Sequence, residues 1–224
     1  MGDRRAKNAL YDGFAQVAKA LGSGRRAELV DVLAQGERHV EDLAAEIGQS
    51  VANTSHHLRA LAAAGLVATR RRKTRVYYRL ASDEVERLWA SLRSVAVNHL
   101  DDLDALTADY VGDRRALEEI SREELVRRLD NGEIALVDVR PEAEYTAGHI
   151  PGARSVPIDR LPEAVRELPT GVEVVAYCRG PYCVLADDAV KLLRRRRRRA
   201  RRLEDGFPEW RMANLPTIAG GSSR

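Results

Sequence analysis

The spacing of apolar residues changes once along the chain, and this change constrains the fold more than any other feature. Residues 8–107 carry apolar side chains every three or four positions, except at 66–80, where the pattern shortens. Later, short apolar runs such as Ile134–Asp138 and Val172–Tyr177 alternate with helical patterns. A period near 3.6 indicates amphipathic helices, whereas short apolar runs bounded by turn residues indicate strands. The sequence therefore predicts two domains of different class.

The first domain is predicted to be mainly α-helical with one β-hairpin. Four helices precede the hairpin, the fourth opening at Ser50 and running to Gly65, and a long helix with apolar positions from Val85 to Leu103 follows it. The second domain is predicted to be α/β with a central parallel sheet, because strands alternate with helices. We place the first domain at 8–107, a linker at 108–117 and the second domain at 118–218.

Composition narrows the class of protein. The 224 residues suffice for two ordinary domains, and the net charge of +3 is unevenly spread. No apolar run is long enough to cross a membrane, so we expect a soluble, cytoplasmic chain without membrane partners. The two cysteines, Cys178 and Cys183, lie five positions apart. Such spacing suggests thiol chemistry rather than a disulfide framework, with buried, inert thiols as the alternative.

Residues Val40–Gly65 read as helix, tight turn, helix, followed at once by the hairpin, which is how winged helix-turn-helix domains are built. On the fourth helix, Val51, Thr54, Leu58 and Leu61 are predicted to pack inward. The opposite side and the helix start are predicted to read base edges of double-stranded DNA in the major groove. The predicted DNA contacts are Gln49, Ser50, Asn53 and His56, with Ser55, His57 and Arg59 on the flanks near phosphates.

The hairpin tip is strongly basic, with five cations in the six residues 70–75. A basic two-stranded wing can contact phosphates or the minor groove, and each phosphate contact adds salt dependence. A merely solvated turn is the alternative. The predicted contacts are Arg70, Arg71, Arg72, Lys73 and Arg75.

The segments Ser55–Leu61, Ala64–Val67 and Tyr77–Leu80 resemble the ArsR/SmtB family of winged-helix repressors. The resemblance implies a homodimer, paired through Leu10–Leu21 and Val85–Leu106, that binds a palindromic operator.

Metal sensing is disfavoured, because the first domain contains no cysteine where this family carries a thiolate pair. A carboxylate/histidine site built from His99, Asp102 or Asp104 remains the alternative. We assign no metal ligand and no cofactor.

The segment Cys178-Arg-Gly-Pro-Tyr-Cys183 joins a buried strand to a helix. Such a turn aims main-chain N–H groups inward at the positive end of the helix, which favours thiolate over thiol at Cys178. A thiolate there can accept a sulfane sulfur as a persulfide. We therefore predict a reactive site at Cys178, Arg179, Gly180, Tyr182 and Cys183, in which Arg179 adds positive charge and Tyr182 shapes access.

Four segments in order resemble the rhodanese (thiosulfate sulfurtransferase) homology domain: Asp138–Tyr145, Gly148–Ala153, Tyr177–Cys183 and Asp205–Trp210. The Cys-to-Cys loop resembles that of ArsR–rhodanese fusion proteins in particular. The resemblance implies that Asp138 and Arg140 support the loop.

Two positions depart from related patterns. Val184 stands where phosphatases of this fold have arginine, which disfavours phosphoryl chemistry. Cys183 stands where many sulfurtransferases have arginine or threonine, which puts thiosulfate use in doubt. Cys183 is either a resolving thiol, able to convert a Cys178 persulfide into a disulfide, or a buried helix residue.

Together these patterns predict a homodimeric transcriptional repressor whose second domain senses sulfur species such as thiosulfate, polysulfide, persulfide or thiols. The alternative is a sulfurtransferase or thiol-linked reductase that the DNA-binding half localises. The arginine run at 194–202 is interpreted as a solvated helix end, with a second DNA contact as the alternative.

Overall fold

The computed structural model describes residues 2–112, 114 and 117–219, so the predicted linker at 108–117 lies only partly within it. The chain forms two compact units, Met1–Asn98 and His99–Arg224. Within the described residues, no helix combines the length and the apolar character that a bilayer crossing requires.

The first unit is mainly helical and carries a small antiparallel sheet of strand order β1-β3-β2. Its elements are α1 (Arg4–Leu21), α2 (Gly24–Leu33), β1 (Arg38–His39), α3 (Val40–Glu46), α4 (Val51–Ala63), β2 (Val67–Arg72), β3 (Arg75–Leu80) and α5 (Asp83–His99).

Polar caps and a single apolar cluster fix these helices. Asp3 accepts a hydrogen bond from the Arg5 amide at the start of α1, and Ser50 accepts one from the Asn53 amide at the start of α4. Leu29, Leu43 and other side chains from α1 to α5 meet in a core that excludes water. This packing orients α4 within the unit.

Two details of the first domain differ from the sequence prediction. The predicted hairpin is a three-stranded sheet, because Arg38 and His39 pair with Tyr78 and Tyr77 of β3. The predicted long helix is divided at residues 100–102 into α5 and a separate α6 (Leu103–Val111), which belongs to the second unit. Hydrophobic periodicity continues across this break and therefore could not reveal it.

The second unit is an α/β domain built on a five-stranded sheet of order β4-β8-β7-β5-β6, in which every pairing is parallel, as predicted. Besides α6, its elements are β4 (Glu119–Ile120), α7 (Arg122–Asp130), β5 (Ile134–Asp138), α8 (Glu142–Ala147), β6 (Arg154–Ser155), α9 (Leu161–Ala164), the 3₁₀ turn Val165–Glu167, β7 (Glu173–Tyr177), α10 (Leu185–Arg195), β8 (Ala200–Leu203) and α11 (Phe207–Met212).

Alternation along β7 places the first cysteine. Val174 and Ala176 pack into one apolar cluster, whereas Val175 and Tyr177 pack into another. Since successive strand residues point to opposite faces, Cys178 continues the first set and joins its cluster. The sulfur atom thus lies at the carboxyl end of a central strand, on the face that α10 covers.

A buried ion pair stands beside that strand. Asp138 and Arg140 are both fully buried, and the Arg140 Nη2 donates to Asp138 Oδ2 at 2.6 Å and to the Gly148 carbonyl at 2.7 Å. The same guanidinium lies 4.4 Å from the Phe207 ring centroid and 5.6 Å from that of Tyr177. The pair therefore connects β5, α8, β7 and α11.

Several arginines of the 194–202 run serve the fold. Arg198 donates to the carbonyls of Val165 and Leu168, and Arg201 binds the Glu173 carboxylate. Arg195 and Arg196 are exposed at the end of α10. For these two residues, the structure agrees with the prediction of a solvated helix end.

Replacing Arg140 by Met should destabilise the second unit by about 3–5 kcal/mol, since it leaves a buried carboxylate without its counter-charge. Denaturant unfolding followed by Trp210 fluorescence in a Trp89→Phe background measures the loss. The double variant D138L/R140M removes both charges and should recover part of the stability. A single variant as stable as the parent would contradict the role of the pair.

Candidate functional sites

The amino-terminal half of α4 presents polar side chains to solvent. Asn53, His56 and Arg59 are exposed, and Gln49 is half-buried just before the helix. Ser55 is half-buried, and its carbonyl accepts a bond from Arg59. The Ser50 hydroxyl is engaged in capping the helix. The structure thus brings most of the predicted base-reading set onto one exposed surface.

Two assignments on α4 need correction. Val51, predicted to pack inward, is 43% exposed. His57, predicted on a phosphate-facing flank, is half-buried, and burial together with the nearby Arg26 guanidinium lowers its pKa below the ordinary value. A neutral, half-buried imidazole is a poor phosphate ligand. Both errors have the same cause: a small rotation of the helix about its axis decides which side chains of one turn are covered, and helical spacing alone does not fix that rotation.

The wing consists of β2, β3 and their turn, and of its five predicted cations only Arg70 forms an ion pair with a carboxylate within the described part of the chain. Arg71, Lys73 and Arg75 are exposed at the tip, and the Arg72 guanidinium lies 5.9 Å from the Tyr77 ring centroid. Arg70 instead binds the Glu37 carboxylate through two nitrogens. The tip therefore carries the positive charge, whereas Arg70 fastens the wing to the unit.

The sulfur loop, residues Cys178–Cys183, joins β7 to α10. Cys178 is 2% exposed and Cys183 is half-buried. The main-chain amides of Gly180 and Ala186 lower the pKa of Cys178, and those of Arg179 and Leu185 lower the pKa of Cys183. The amides of this turn therefore act on two sulfur atoms rather than on Cys178 alone.

This division changes which thiol ionises. Burial raises the pKa of Cys178 well above its ordinary value. A hydrogen bond from the Cys178 thiol, assisted by two amides and the Arg179 charge, lowers the pKa of Cys183 to about 7. The prediction of an ionised Cys178 is therefore wrong for the reduced loop, where Cys183 carries the negative charge. The cause is the second sulfur, whose position sequence spacing alone did not reveal.

The charge of Arg179 is balanced by a carboxylate. Its Nη2 and Nε contact Glu144 at 2.6 Å and 3.0 Å, and the Glu144 side chain is only 1% exposed. The Glu209 carboxylate lies beside Gly180 and accepts a bond from the Gly206 amide. Two carboxylates thus border the loop, which disfavours a doubly charged anion such as thiosulfate. Tyr182, predicted to shape access, is half-buried.

The loop backbone is held from one side by α11 and the residue before it. The Phe207 amide donates to the Cys178 carbonyl at 3.1 Å. A side chain on Gly206 would lie 2.1 Å from the Gly180 nitrogen, so only glycine permits this approach. The Arg140 guanidinium lies over the rings of Tyr177 and Phe207, and both of these residues adjoin Cys178.

Sequence reasoning missed Arg114, which lies next to the loop. Its Nε is 2.5 Å from the Asp187 Oδ2, and its remaining nitrogens donate to the Pro181 and Cys183 carbonyls. No local pattern marks Arg114, because its partners stand far along the chain. Glu144, by contrast, lies inside a motif segment, and that position was an available signal.

The described residues contain no group of three His, Cys, Asp or Glu side chains placed to hold a metal ion. The alternative site at His99, Asp102 and Asp104 is therefore not assembled within this part of the chain.

Replacing Cys178 by Ala removes the hydrogen bond that contributes most to the ionisation of Cys183. The pKa of Cys183 should then rise from about 7 towards that of an ordinary thiol. The pH dependence of alkylation by iodoacetamide reports this shift, and Cys183→Ser identifies the signal. An alkylation midpoint that stays near neutrality in Cys178→Ala would contradict the assigned hydrogen bond.

Comparison with known proteins identifies both halves. Residues 23–69 match the family model described as bacterial regulatory protein, arsR family, and residues 121–213 match the rhodanese-like domain.

Relatives cover either the whole chain or one unit of it. An HTH-type transcriptional regulator of Mycobacterium tuberculosis, Rv0324, is 49% identical over 97% of this chain and 95% of its own length. A sulfurtransferase of Allochromatium vinosum is 35% identical over 45% of this chain and 94% of its own length. The solution structure of a homodimeric winged helix-turn-helix fragment from Mycobacterium bovis is 48% identical, covers 45% of this chain and 92% of that fragment, and has a TM-score of 0.42.

The 49% identity to Rv0324 extends along nearly the whole chain, and the two family models match in the predicted order. Together these findings show the family. The chain belongs to the ArsR family of helix-turn-helix transcriptional regulators and carries a rhodanese domain in its carboxyl-terminal half.

Proposed function

We propose that this regulator represses transcription from an operator and senses sulfane sulfur through the Cys178–Cys183 pair. One observation carries the proposal: two free thiols lie in one loop, with the Cys178 sulfur 3.6 Å from the Cys183 carbonyl oxygen, and the neighbouring Cys178 thiol lowers the pKa of Cys183 to about 7. A thiolate of that pKa is both populated and nucleophilic in a cell. An inert structural cysteine would not need a second sulfur beside it.

Binding to double-stranded DNA is assigned to α4 and the wing. Asn53 is the strongest candidate for base contact, since it is exposed and an amide side chain can bond adenine with both of its polar atoms. Arg71, Arg72, Lys73 and Arg75 supply positive charge for phosphates. Phosphate contacts of this kind provide affinity without sequence preference.

A homodimer is supported by apolar side chains that remain exposed on two helices. Leu10 and Phe14 of α1 and Leu92 and Val95 of α5 are each more than two-fifths exposed. Large apolar side chains gathered on helices of one unit favour a protein interface. A second copy of this chain, pairing through α1 and α5, would present two α4 helices to a palindromic operator.

The sulfur chemistry proposed for the loop has two steps. A small persulfide donor, RSSH, loses its terminal sulfur to Cys178 while the Cys178 proton passes to the Cys183 thiolate, so that RS⁻ leaves. Cys183 then attacks the Cys178 sulfur, the terminal sulfur departs as H₂S, and a Cys178–Cys183 disulfide remains. Cys183 suits the role of base, because a base of pKa about 7 is matched to neutral pH.

A sulfurtransferase enzyme is the second candidate, favoured by the relative of that name from Allochromatium vinosum. In that case the persulfide passes to an external thiol rather than to Cys183. The turnover rate of sulfur transfer to an external thiol separates the two functions, since a rate far below about 1 per second favours a sensor over an enzyme.

Asn53→Ala should weaken binding to a duplex selected by the protein from a random pool by about 1–3 kcal/mol per half-site, with little effect on a scrambled duplex. Arg71→Gln should weaken both duplexes alike and lower the salt slope by about 0.9 per phosphate contact. Fluorescence anisotropy at several salt concentrations measures both effects. Arg166→Gln, which removes an exposed charge of the second unit, serves as the control. Equal losses on both duplexes for Asn53→Ala would contradict its base-reading role.

After treatment with glutathione persulfide, Cys183→Ser should accumulate one additional sulfur on Cys178, more slowly because the base is absent, whereas the unmodified sequence should form the internal disulfide. Mass spectrometry distinguishes these products, and operator binding is measured on the same samples. We expect the affinity to change by at least about fivefold on oxidation, a typical coupling between two sites. A Cys178→Ser variant that responds as fully as the unmodified sequence would refute the sensing role.

A further inference from the structure

Arg114 connects the residues that follow α6 to the sulfur loop. It stands three residues after Val111, the last residue of α6, and before β4. Its side chain is 18% exposed and directs all its contacts into the second unit. The Nη2 donates to the Cys183 carbonyl at 3.0 Å, and the Nη1 donates to the Pro181 carbonyl. One guanidinium thus binds two carbonyls of the loop.

The Asp187 carboxylate holds the Arg114 guanidinium in position. Asp187 lies in the first turn of α10, its side chain is 1% exposed, and Arg114 and Arg202 approach its two oxygens at 2.5 Å and 3.4 Å. Arg202 is itself held by the Glu119 carboxylate of β4 at 2.9 Å. A carboxylate so deeply buried requires such partners. The guanidinium of Arg114 is therefore fixed by Asp187 while it donates to the carbonyls of the loop.

The carbonyl that Arg114 binds also lies beside the Cys178 sulfur. The Cys178 sulfur is 3.6 Å from the Cys183 carbonyl oxygen and 4.0 Å from the Gly180 carbonyl oxygen, so its thiol is within reach of both acceptors. A disulfide between the two cysteines leaves Cys178 without a proton to donate to either carbonyl and brings the two sulfur atoms to about 2 Å from each other.

We propose that Arg114 is a positioning residue that fits the carbonyls of the reduced sulfur loop and loses this fit when Cys178 and Cys183 form a disulfide. This inference rests on the proposed function and specifies how the same site is regulated. Because the retained bonds favour the reduced loop, they oppose oxidation.

Arg114→Lys is the informative substitution. Lysine keeps the positive charge beside Asp187 but cannot reproduce the planar fork that binds both carbonyls and the carboxylate. The dithiol–disulfide equilibrium of the full chain, measured against glutathione buffers by mass spectrometry, should shift towards disulfide by roughly tenfold, the equivalent of one charge-assisted hydrogen bond. Thermal unfolding should stay near that of the unmodified chain, whereas Arg114→Gln should lower it.

Arg198→Lys is the matched control, since Arg198 also donates to carbonyls of this unit but to none of the sulfur loop. An unchanged glutathione equilibrium in Arg114→Lys, or a shift of the same size in Arg198→Lys, would overturn the positioning role. Operator affinity of the reduced and oxidised chain is measured in parallel. If oxidation leaves the operator affinity of the unmodified chain unchanged, the sensing function fails, while the role of Arg114 is still decided by the redox equilibrium.

Discussion

The buried pair of Asp138 and Arg140 is the interaction on which the second unit depends most. Its guanidinium closes over a carboxylate, a carbonyl and two aromatic rings contributed by four different elements. One of those rings belongs to Phe207, whose amide holds the Cys178 carbonyl. The sulfur loop therefore rests on a rigid base formed by the ion pair and the rings around it. Such indirect support is what a reactive loop requires, since small displacements of its amides would change the charge it stabilises.

The amides of the loop act on two sulfur atoms. A single-cysteine loop concentrates its amides on one thiolate and favours anionic substrates. Here amides lower the pKa of Cys183 as well, and Glu144 balances the nearest arginine. In the function proposed above, the two thiols pass one proton between them, which suits detection of a reactive sulfur species better than sustained turnover of thiosulfate.

Local patterns in the sequence predicted the two-domain organisation, the parallel sheet, the helix-turn-helix and the position of the sulfur loop. These features depend on periodicity and on motifs read within short windows. The sequence did not reveal the two-residue strand β1, because Arg38 and His39 show no alternation of polarity. It also did not reveal Arg114, the ionisation of Cys183 or the burial of His57. Each of these depends on tertiary partners, and no spacing along the chain encodes them.

The unequal accessibility of the two sulfurs has a consequence for recovery. If they are joined in a disulfide, an incoming thiol reaches Cys183 more readily, because Cys178 is almost completely enclosed. Attack there expels Cys178, the thiol with the raised pKa and hence the poorer leaving group. Cleavage along the more open route is thus slowed by its poorer leaving group. A regulator built this way would keep a record of a brief sulfur pulse well after the sulfur itself had been consumed.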